Sequence, residues 1–195
     1  MVTTIREEAS RDVAAREALL DAAYGDSRFT KTSERLREGR VPADGLSLVA
    51  VEHGRIVGTV RLWHVTVGPG RPALLLGPLA VDPAHRNRGI GSTLMRRAIA
   101  RARIAGHRVI LLVGDAPYYS RFGFSAATTG ELWMPGRFER DRLLALELKP
   151  DALTGARGLI AAAGQSAPAP DLAVLVAQDR RAQRARIRPH RALAA

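Results

Sequence analysis

The 195-residue chain contains no cysteine, and this absence removes several kinds of chemistry. Without cysteine there is no disulfide, no thiolate-bound metal and no acyl group carried on a protein thiol. The chain also has no apolar run near the ~18 residues that a membrane span needs. Its charged first residues, MVTTIREEASRDVAARE, do not resemble a signal peptide. We therefore expect a cytoplasmic protein with no metal site and no membrane partner.

Acidic residues are scarce relative to basic ones, and the formal net charge is +11. The segment 178–195 carries +5 of this excess, through six arginines against one aspartate. Such a tail could touch nucleic acid, but a short basic end is more often simply solvated. Since no RNA-binding aromatic pattern or helix-turn-helix accompanies it, nucleic acid is not expected as a partner.

The length, together with 46% hydrophobic and 25% charged residues, suits one soluble domain. We place this domain at residues 1–150, with a segment at its edge over 151–163. A Pro/Ala linker and an Arg-rich tail follow over 164–195, and the tail contains a possible short helix over 172–184.

Apolar periodicity predicts an α/β chain with a mixed sheet. The predicted strands cover 3–6, 46–51, 56–67, 73–81, 108–113 and 142–148. The predicted helices cover 10–24, with Ser10 as N-cap, 32–38, a long segment from Ile90 to about 105, and a short segment after Pro117. The strands at 73–81 and 108–113 flank the long helix, so they should lie parallel.

A glycine-rich loop, Arg86-Asn87-Arg88-Gly89-Ile90-Gly91, separates the strand at 73–81 from the long helix. Free N–H groups and the helix dipole favour anions at such a helix start, and glycine lets a ligand approach the backbone closely. The loop has neither the Gly-Lys-Ser/Thr of a P-loop nor the Gly-x-Gly-x-x-Gly of a dinucleotide fold. It therefore predicts a phosphate cradle of another kind.

Two motifs resemble those of the GCN5-related N-acetyltransferases (GNAT). One is Arg86-x-x-Gly89-x-Gly91, and the other is Tyr119-x-x-x-Gly123-Phe124. The run Tyr118-Tyr119-x-Arg121-Phe122-Gly123-Phe124 resembles a bacterial subgroup of that family, although Asp115 stands where many members have asparagine. Over residues 3–150 the resemblance implies a GNAT fold, with a mixed sheet of six to seven strands and about four flanking helices.

The resemblance also implies acetyl-CoA as cosubstrate. Its pyrophosphate is expected on the loop residues Arg86, Asn87, Arg88, Gly89, Ile90, Gly91 and Ser92. Its pantetheine arm is expected to pair with free backbone groups of Leu79, Ala80 and Val81, where two strands splay apart.

The implied reaction is acetyl transfer to a primary amine, and the missing cysteine favours direct attack in a ternary complex. A tyrosine phenol of pKa ~10 is protonated at neutral pH and can donate to the leaving thiolate. Tyr119 is the candidate acid, with Tyr118 as the alternative. A noncatalytic module that binds CoA or a polyanion on the same fold is the competing interpretation.

The general base and the acceptor remain open at this stage. His64 could be the base or a packed histidine, whereas Asp82 and His85 are more simply turn residues. Residues that could border the acceptor are Tyr24, Arg28, Phe29, Glu131 and Trp133. The acceptor itself could be a small molecule or a peptide, the acyl group could be longer than acetyl, and the protein could be a monomer or a homodimer.

Overall fold

Alternating aliphatic residues build a mixed β-sheet in the computed structural model, which describes residues 3–25 and 27–168. The eight strands are β1 (Thr4–Glu7), β2 (Ser47–Glu52), β3 (Arg55–Val67), β4 (Pro72–Val81), β5 (Val109–Val113), β6 (Leu132–Trp133), β7 (Leu143–Glu147) and β8 (Gly158–Ala162). The helices are α1 (Val13–Tyr24), α2 (Ser27–Thr30), α3 (Ile90–Ile104) and α4 (Ala116–Tyr119). Short 3-10 turns cover Ser10–Asp12, Glu34–Leu36, Pro83–His85, Ser120–Phe122 and Arg140–Arg142.

The main sheet has the order β1-β2-β3-β4-β5-β7, and only the β4–β5 pair within this order is parallel. This confirms the mixed α/β architecture and the parallel strands on either side of the long helix. The sheet has more strands than expected because β8 pairs with the far end of β3, and the two-residue β6 pairs with β8. The segment after Pro150, expected at the domain edge, thus contributes a strand.

Both faces of the sheet are covered. On one face α3 buries Leu94 and Met95 against residues of β3 and β4 such as Val60. On the other face Trp63 and Leu111 pack in a second cluster. The first four residues of β5 are buried, as its continuous apolar sequence predicts.

Two local predictions were wrong. Ser10 does not cap the first helix, because the carboxylate of Asp12 accepts the Ala9 N–H at 2.7 Å and Arg6 pairs with the same carboxylate. The helix predicted over 32–38 is only the 3-10 turn Glu34–Leu36. Tertiary contacts override the helical pattern there, since the chain next pairs through residues 39–41 with residues 165–167.

The start of the predicted linker is therefore held against the domain: the Val41 N–H donates to Gln165 O, and the Ala167 N–H donates to Gly39 O. The tail helix predicted over 172–184 lies outside the described residues. Within the described part of the chain, no helix combines the length and apolar character needed to cross a bilayer.

Candidate active site

The parallel strands β4 and β5 pair at only two positions, Leu74 with Ile110 and Leu75 with Leu111. Beyond them β4 remains paired with β3 but carries a bulge, in which Gly77 and Pro78 lie opposite Arg61 alone. A bulge bends the strand that carries it. The second half of β4 therefore leaves β5, and the predicted splay is present.

The open edge of β4 exposes backbone groups of alternate residues. The Asp82 N–H donates to Val57 O, so Asp82 and, two residues earlier, Ala80 face β3. The backbone groups of Leu79 and Val81 face the gap instead, and the Tyr24 hydroxyl donates to the Leu79 carbonyl. Ala80 lines the cavity but is not placed to pair through its backbone with a ligand in the gap, which corrects the prediction for that residue.

The glycine-rich loop joins this edge to α3. The Asp82 carboxylate caps its first turn by accepting the Ala84 N–H at 2.8 Å, as its expected turn role requires. Gly89 has φ +76° and ends the loop. The first intrahelical bond of α3 runs from the Thr93 N–H to Gly89 O, so the preceding N–H groups of the helix have no acceptor inside it. These donors and the positive end of the helix dipole lie where the sequence predicts an anion cradle.

Arg88 differs from the other predicted loop residues because its guanidinium does not line the cavity. It makes two hydrogen bonds to Glu52, at 2.8 and 3.0 Å, and the 4% exposure of Glu52 makes it a buried partner. The Arg88 pair holds the pKa of Glu52 below its usual value. The Nε2 of His85 lies 3.4 Å from the same carboxylate. Glu52, which the sequence analysis did not single out, therefore holds the loop to the β2–β3 hairpin.

A cavity of about 590 Å³ lies between the loop, the open edge of β4 and α4. It is lined by every residue expected to bind the cosubstrate except Arg88: Leu79, Ala80, Val81, Arg86, Asn87, Gly89, Ile90, Gly91 and Ser92. Its other lining residues are Ala23, Tyr24, His85, Tyr118, Tyr119 and Arg121. Topology thus gathers the two sequence motifs around one space.

The absence of a side chain at Gly91 keeps this space open. A Cβ at Gly91 would lie 3.3 Å from the Tyr118 hydroxyl and 3.5 Å from a methyl group of Val81. A larger side chain would occupy the cavity between the helix start and α4. The cradle therefore fits a ligand that approaches the backbone closely, as a pyrophosphate does at a helix N-terminus.

Tyr119 is half-buried at the inner end of the cavity. Its ring packs against Gly114, where an added Cβ would lie 2.3 Å from a ring carbon. Burial raises the pKa of Tyr119 well above its usual value, and the neighbouring Tyr24 and Tyr118 raise it further. Its hydroxyl therefore keeps its proton at neutral pH. The Tyr118 ring, 4.9 Å away between centroids, lines the same cavity.

A second, smaller cavity of about 90 Å³ adjoins the first one and shares Tyr24, Leu79 and Tyr119 with it. Four polar residues from the segment after α1 line one side, and the bulged middle of β4 and the end of β5 line the other. The polar residues are Arg28, Lys31, Ser33 and Arg37, and the strand residues are Leu76, Gly77, Pro78, Leu112 and Val113. The sequence indicated Tyr24 and Arg28 as residues of the acceptor side, but not Lys31 and Arg37, which belong to no local motif.

Other candidates lie elsewhere. His64 contacts His107 at 5.6 Å between ring centroids and lines neither cavity, so it is a packed histidine rather than a base at this site. Trp133 packs under the Arg140 guanidinium, and neither it nor Glu131 lines either cavity. Phe29 is 58% exposed and borders an adjoining groove.

The model of the acetyltransferase (GNAT) family matches residues 13–124, which include the loop, α3 and the tyrosine element. The chain belongs to the GNAT family. A relative is the uncharacterized N-acetyltransferase YhbS of Escherichia coli, 30% identical over 161 residues that cover 80% of this chain and 93% of YhbS. Another is YjhQ, an uncharacterized N-acetyltransferase of the same species, 32% identical over 52% of this GNAT chain and 58% of its own length.

Solved structures give the same result. YhbS in complex with CoA superposes on this GNAT chain with a TM-score of 0.69 and 29% identity, covering 83% of this chain and 89% of the other. A GNAT family acetyltransferase from Brucella melitensis in complex with acetyl-CoA gives a TM-score of 0.63 and 30% identity, covering 83% and 96%. Both neighbours thus hold CoA or its acetyl thioester on a fold like this one.

Proposed function

We propose that the protein is an acetyl-CoA-dependent N-acetyltransferase that moves an acetyl group to a primary amine by direct attack in a ternary complex. The observation that carries this proposal is the position of Tyr119, in the wall common to the two cavities. A donor placed there can reach a group at the junction, where a thioester from one side meets an amine from the other. The CoA and acetyl-CoA complexes of the two structural neighbours support the choice of cosubstrate.

The larger cavity is assigned to acetyl-CoA. The N–H groups at the start of α3 and the Arg86 side chain would hold the pyrophosphate. The outward backbone groups of Leu79 and Val81 would pair with the pantetheine amides, as an added strand pairs with a sheet edge. When bound, the thioester supplies an activated acetyl group.

Tyr119 is assigned as the general acid. As the amine nitrogen forms its bond to the acetyl carbon, the carbon–sulfur bond breaks, and the Tyr119 hydroxyl gives its proton to the departing thiolate. The amine proton leaves to solvent or to the tyrosinate, which restores the acid. The raised pKa of Tyr119 ensures that this proton is present at the start of each turnover.

The proposal also covers the domain organisation, the location and the subgroup of the protein. We infer one folded domain that includes β8, a linker and basic tail after it, a cytoplasmic location, and the bacterial subgroup with the Tyr-Tyr-x-Arg-Phe-Gly-Phe element. A small-molecule or peptide amine is the partner, and both monomer and homodimer stay possible.

Calorimetry with acetyl-CoA and thiol release against an amine panel test the function together. The unmodified protein should bind acetyl-CoA and release thiol only when an acceptor is present. Replacing Gly91 with Val should abolish binding by filling the cradle, whereas Gly130→Ala, with open space around its backbone, should not. Binding without any acceptor-dependent release would instead identify a noncatalytic CoA-binding module.

A further inference from the structure

The smaller cavity has a cationic wall. Arg28, Lys31 and Arg37 line it together with Ser33, and apolar residues from the middle of β4 and the end of β5 make the facing wall. No carboxylate lines this cavity among residues 3–25 and 27–168. A site for a polycationic acceptor, such as a polyamine, would need the opposite charge.

Arg37 has unused hydrogen-bonding capacity in this wall. Its side chain is 7% exposed, and its Nη2 donates to Glu34 at 2.6 Å. Its Nε is buried and has no partner within the described residues. Its Nη1 lies against Gly77, 3.5 Å from the place of a Cβ there. A buried donor without an acceptor costs free energy, and an anion in the cavity would supply the acceptor.

Lys31 adds positive charge to this wall, and Arg28 adds a further donor. The Arg28 guanidinium binds Glu17 at 2.6 Å and Asp21 at 2.8 Å, both outside the cavity, and its buried Nε has no partner among residues 3–25 and 27–168. The Lys31 ammonium lies 4.4 Å from the centroid of the Tyr24 ring. Burial lowers the pKa of Lys31, and the nearby Arg37 and Arg142 lower it further. The cations therefore repel one another, and a bound anion would relieve that repulsion.

We propose that the acceptor is a small amine that carries a carboxylate, held by Arg37, Lys31 and Arg28 while its amine lies beside Tyr119. This inference rests on the proposed acetyl transfer and adds the class of substrate. A guanidinium matches the planar carboxylate geometrically. The volume of about 90 Å³ is roughly that of three waters at ~30 Å³ each, which suits the head of an amino acid. An adjoining groove of about 430 Å³, which shares Arg28, Arg37 and Pro78, can take the rest of the molecule.

The same wall assists the chemistry. Only a neutral amine attacks, and nearby cations disfavour the protonated amine. The carboxylate of the acceptor is attracted by the wall, while its amine is not offered any anionic partner there. The cavity therefore recognises the carboxylate of the acceptor and not its positively charged ammonium group.

Matched pairs of acceptors test this inference on the full chain. Each pair compares an amino acid with the amine formed by its decarboxylation: phenylalanine with phenethylamine, tyrosine with tyramine, leucine with isoamylamine and lysine with cadaverine. Phosphoethanolamine with ethanolamine adds a phosphate arm. Thiol release from acetyl-CoA gives kcat/KM for each compound. We expect at least one amino acid to be acetylated and to exceed its decarboxylated partner by about tenfold or more, as a charge-assisted contact allows.

The two lysines of the chain provide a matched variant and control. Lys31→Gln should lower the ratio of kcat/KM for the amino acid to kcat/KM for its decarboxylated amine by about tenfold, through a higher KM for the amino acid. It should leave acetyl-CoA affinity unchanged. Lys149→Gln makes the same change at an exposed position after β7 and should leave the ratio unchanged.

Several outcomes would overturn the inference: equal or better transfer to the decarboxylated amines, a preference confined to the phosphate, or no acetylation of any amino acid. An unchanged ratio in Lys31→Gln would also overturn it. Failure of the proposed function looks different, since acetyl-CoA would then not bind or no amine of either kind would be acetylated. Acetyl transfer to the decarboxylated amines alone would support the proposed function and overturn only the inference that the acceptor carries a carboxylate.

Discussion

The two cavities that meet at Tyr119 present hydrogen-bond donors in different ways. The larger one offers backbone N–H groups at the start of α3. Arg88, the arginine closest in sequence to these groups, is already paired with Glu52. The smaller one uses side chains, from Arg28 to Arg37, on a segment with little regular structure. A backbone cradle suits a ligand common to a whole family, whereas side chains can change without changing the fold. Under the proposed function, cosubstrate binding depends on the fold and acceptor choice on the segment after α1.

Tyr119→Phe should have the largest effect on this arrangement, because it removes the proton donor shared by the two cavities while keeping the ring. We expect single-turnover acetyl transfer to slow by roughly 10²- to 10⁴-fold, the usual contribution of general acid catalysis. Acetyl-CoA affinity should change little.

Tyr118→Phe is the matched control for that experiment. The Tyr118 hydroxyl lies near Gly91 in the larger cavity, so its loss should affect acetyl-CoA affinity more than the rate of transfer. If Tyr118→Phe slows transfer and Tyr119→Phe does not, the acid is Tyr118. If both transfer normally, neither tyrosine is the acid.

Gly114→Ala should disturb the junction indirectly. The added methyl group would lie 2.3 and 2.8 Å from two carbons of the Tyr119 ring, so the ring must move. A displacement of about 1 Å can cost on the order of 10²-fold in rate, and we expect a loss in kcat of up to that size. Gly130→Ala has no neighbouring atom to displace and serves as control. A parent-like kcat in folded Gly114→Ala would show that the exact position of the ring is unimportant.

These effects also show what the sequence could predict. The candidate cradle at the start of α3 was predictable because its residues form one contiguous motif between a strand and a helix. The smaller cavity was not, since only the tertiary fold brings Arg37 and Lys31 to the middle of β4 and the end of β5. Arg88 was assigned to the ligand because its partner, Glu52, lies 36 residues earlier, and no local signal connects the two.

Glu52→Gln should weaken ligand binding in the larger cavity without affecting the smaller one. The substitution keeps the shape of the side chain but removes the charge that orients Arg88 and the loop. We expect a loss of a few-fold in acetyl-CoA affinity, as for an ion pair partly open to solvent, with an unchanged preference among acceptors. Glu7→Gln, which breaks the exposed pair with Arg101 far from the loop, should not alter binding. Equal effects of the two variants would contradict the role given to Glu52.

Alkaline pH should not remove the acid. Burial raises the pKa of Tyr119 above the usual ~10, so its protonated form persists to higher pH than in a free tyrosine. Activity should rise with pH as the acceptor amine loses its proton. No decline is expected at any pH lower than about 10. A decline near pH 8 in a protein that remains folded would mean that another group controls the reaction.

Removal of residues 169–195 should have the smallest effect on turnover. Every residue that lines the two cavities lies between positions 23 and 121 in the described part of the chain. The cut is placed after Pro168, and not at the start of the predicted linker, because residues 165–167 pair with 39–41. A large loss of turnover in a truncated protein that still unfolds cooperatively would place the tail in the reaction or in an essential oligomer.

The tie between Glu52 and the loop has a kinetic consequence. Because Glu52 holds Arg88, and Asp82 caps the first turn, the loop takes its conformation before any ligand arrives. Little conformational entropy is then lost on binding, and the encounter does not wait for a rearrangement. Association should then be limited by diffusion and orientation rather than by folding of the loop.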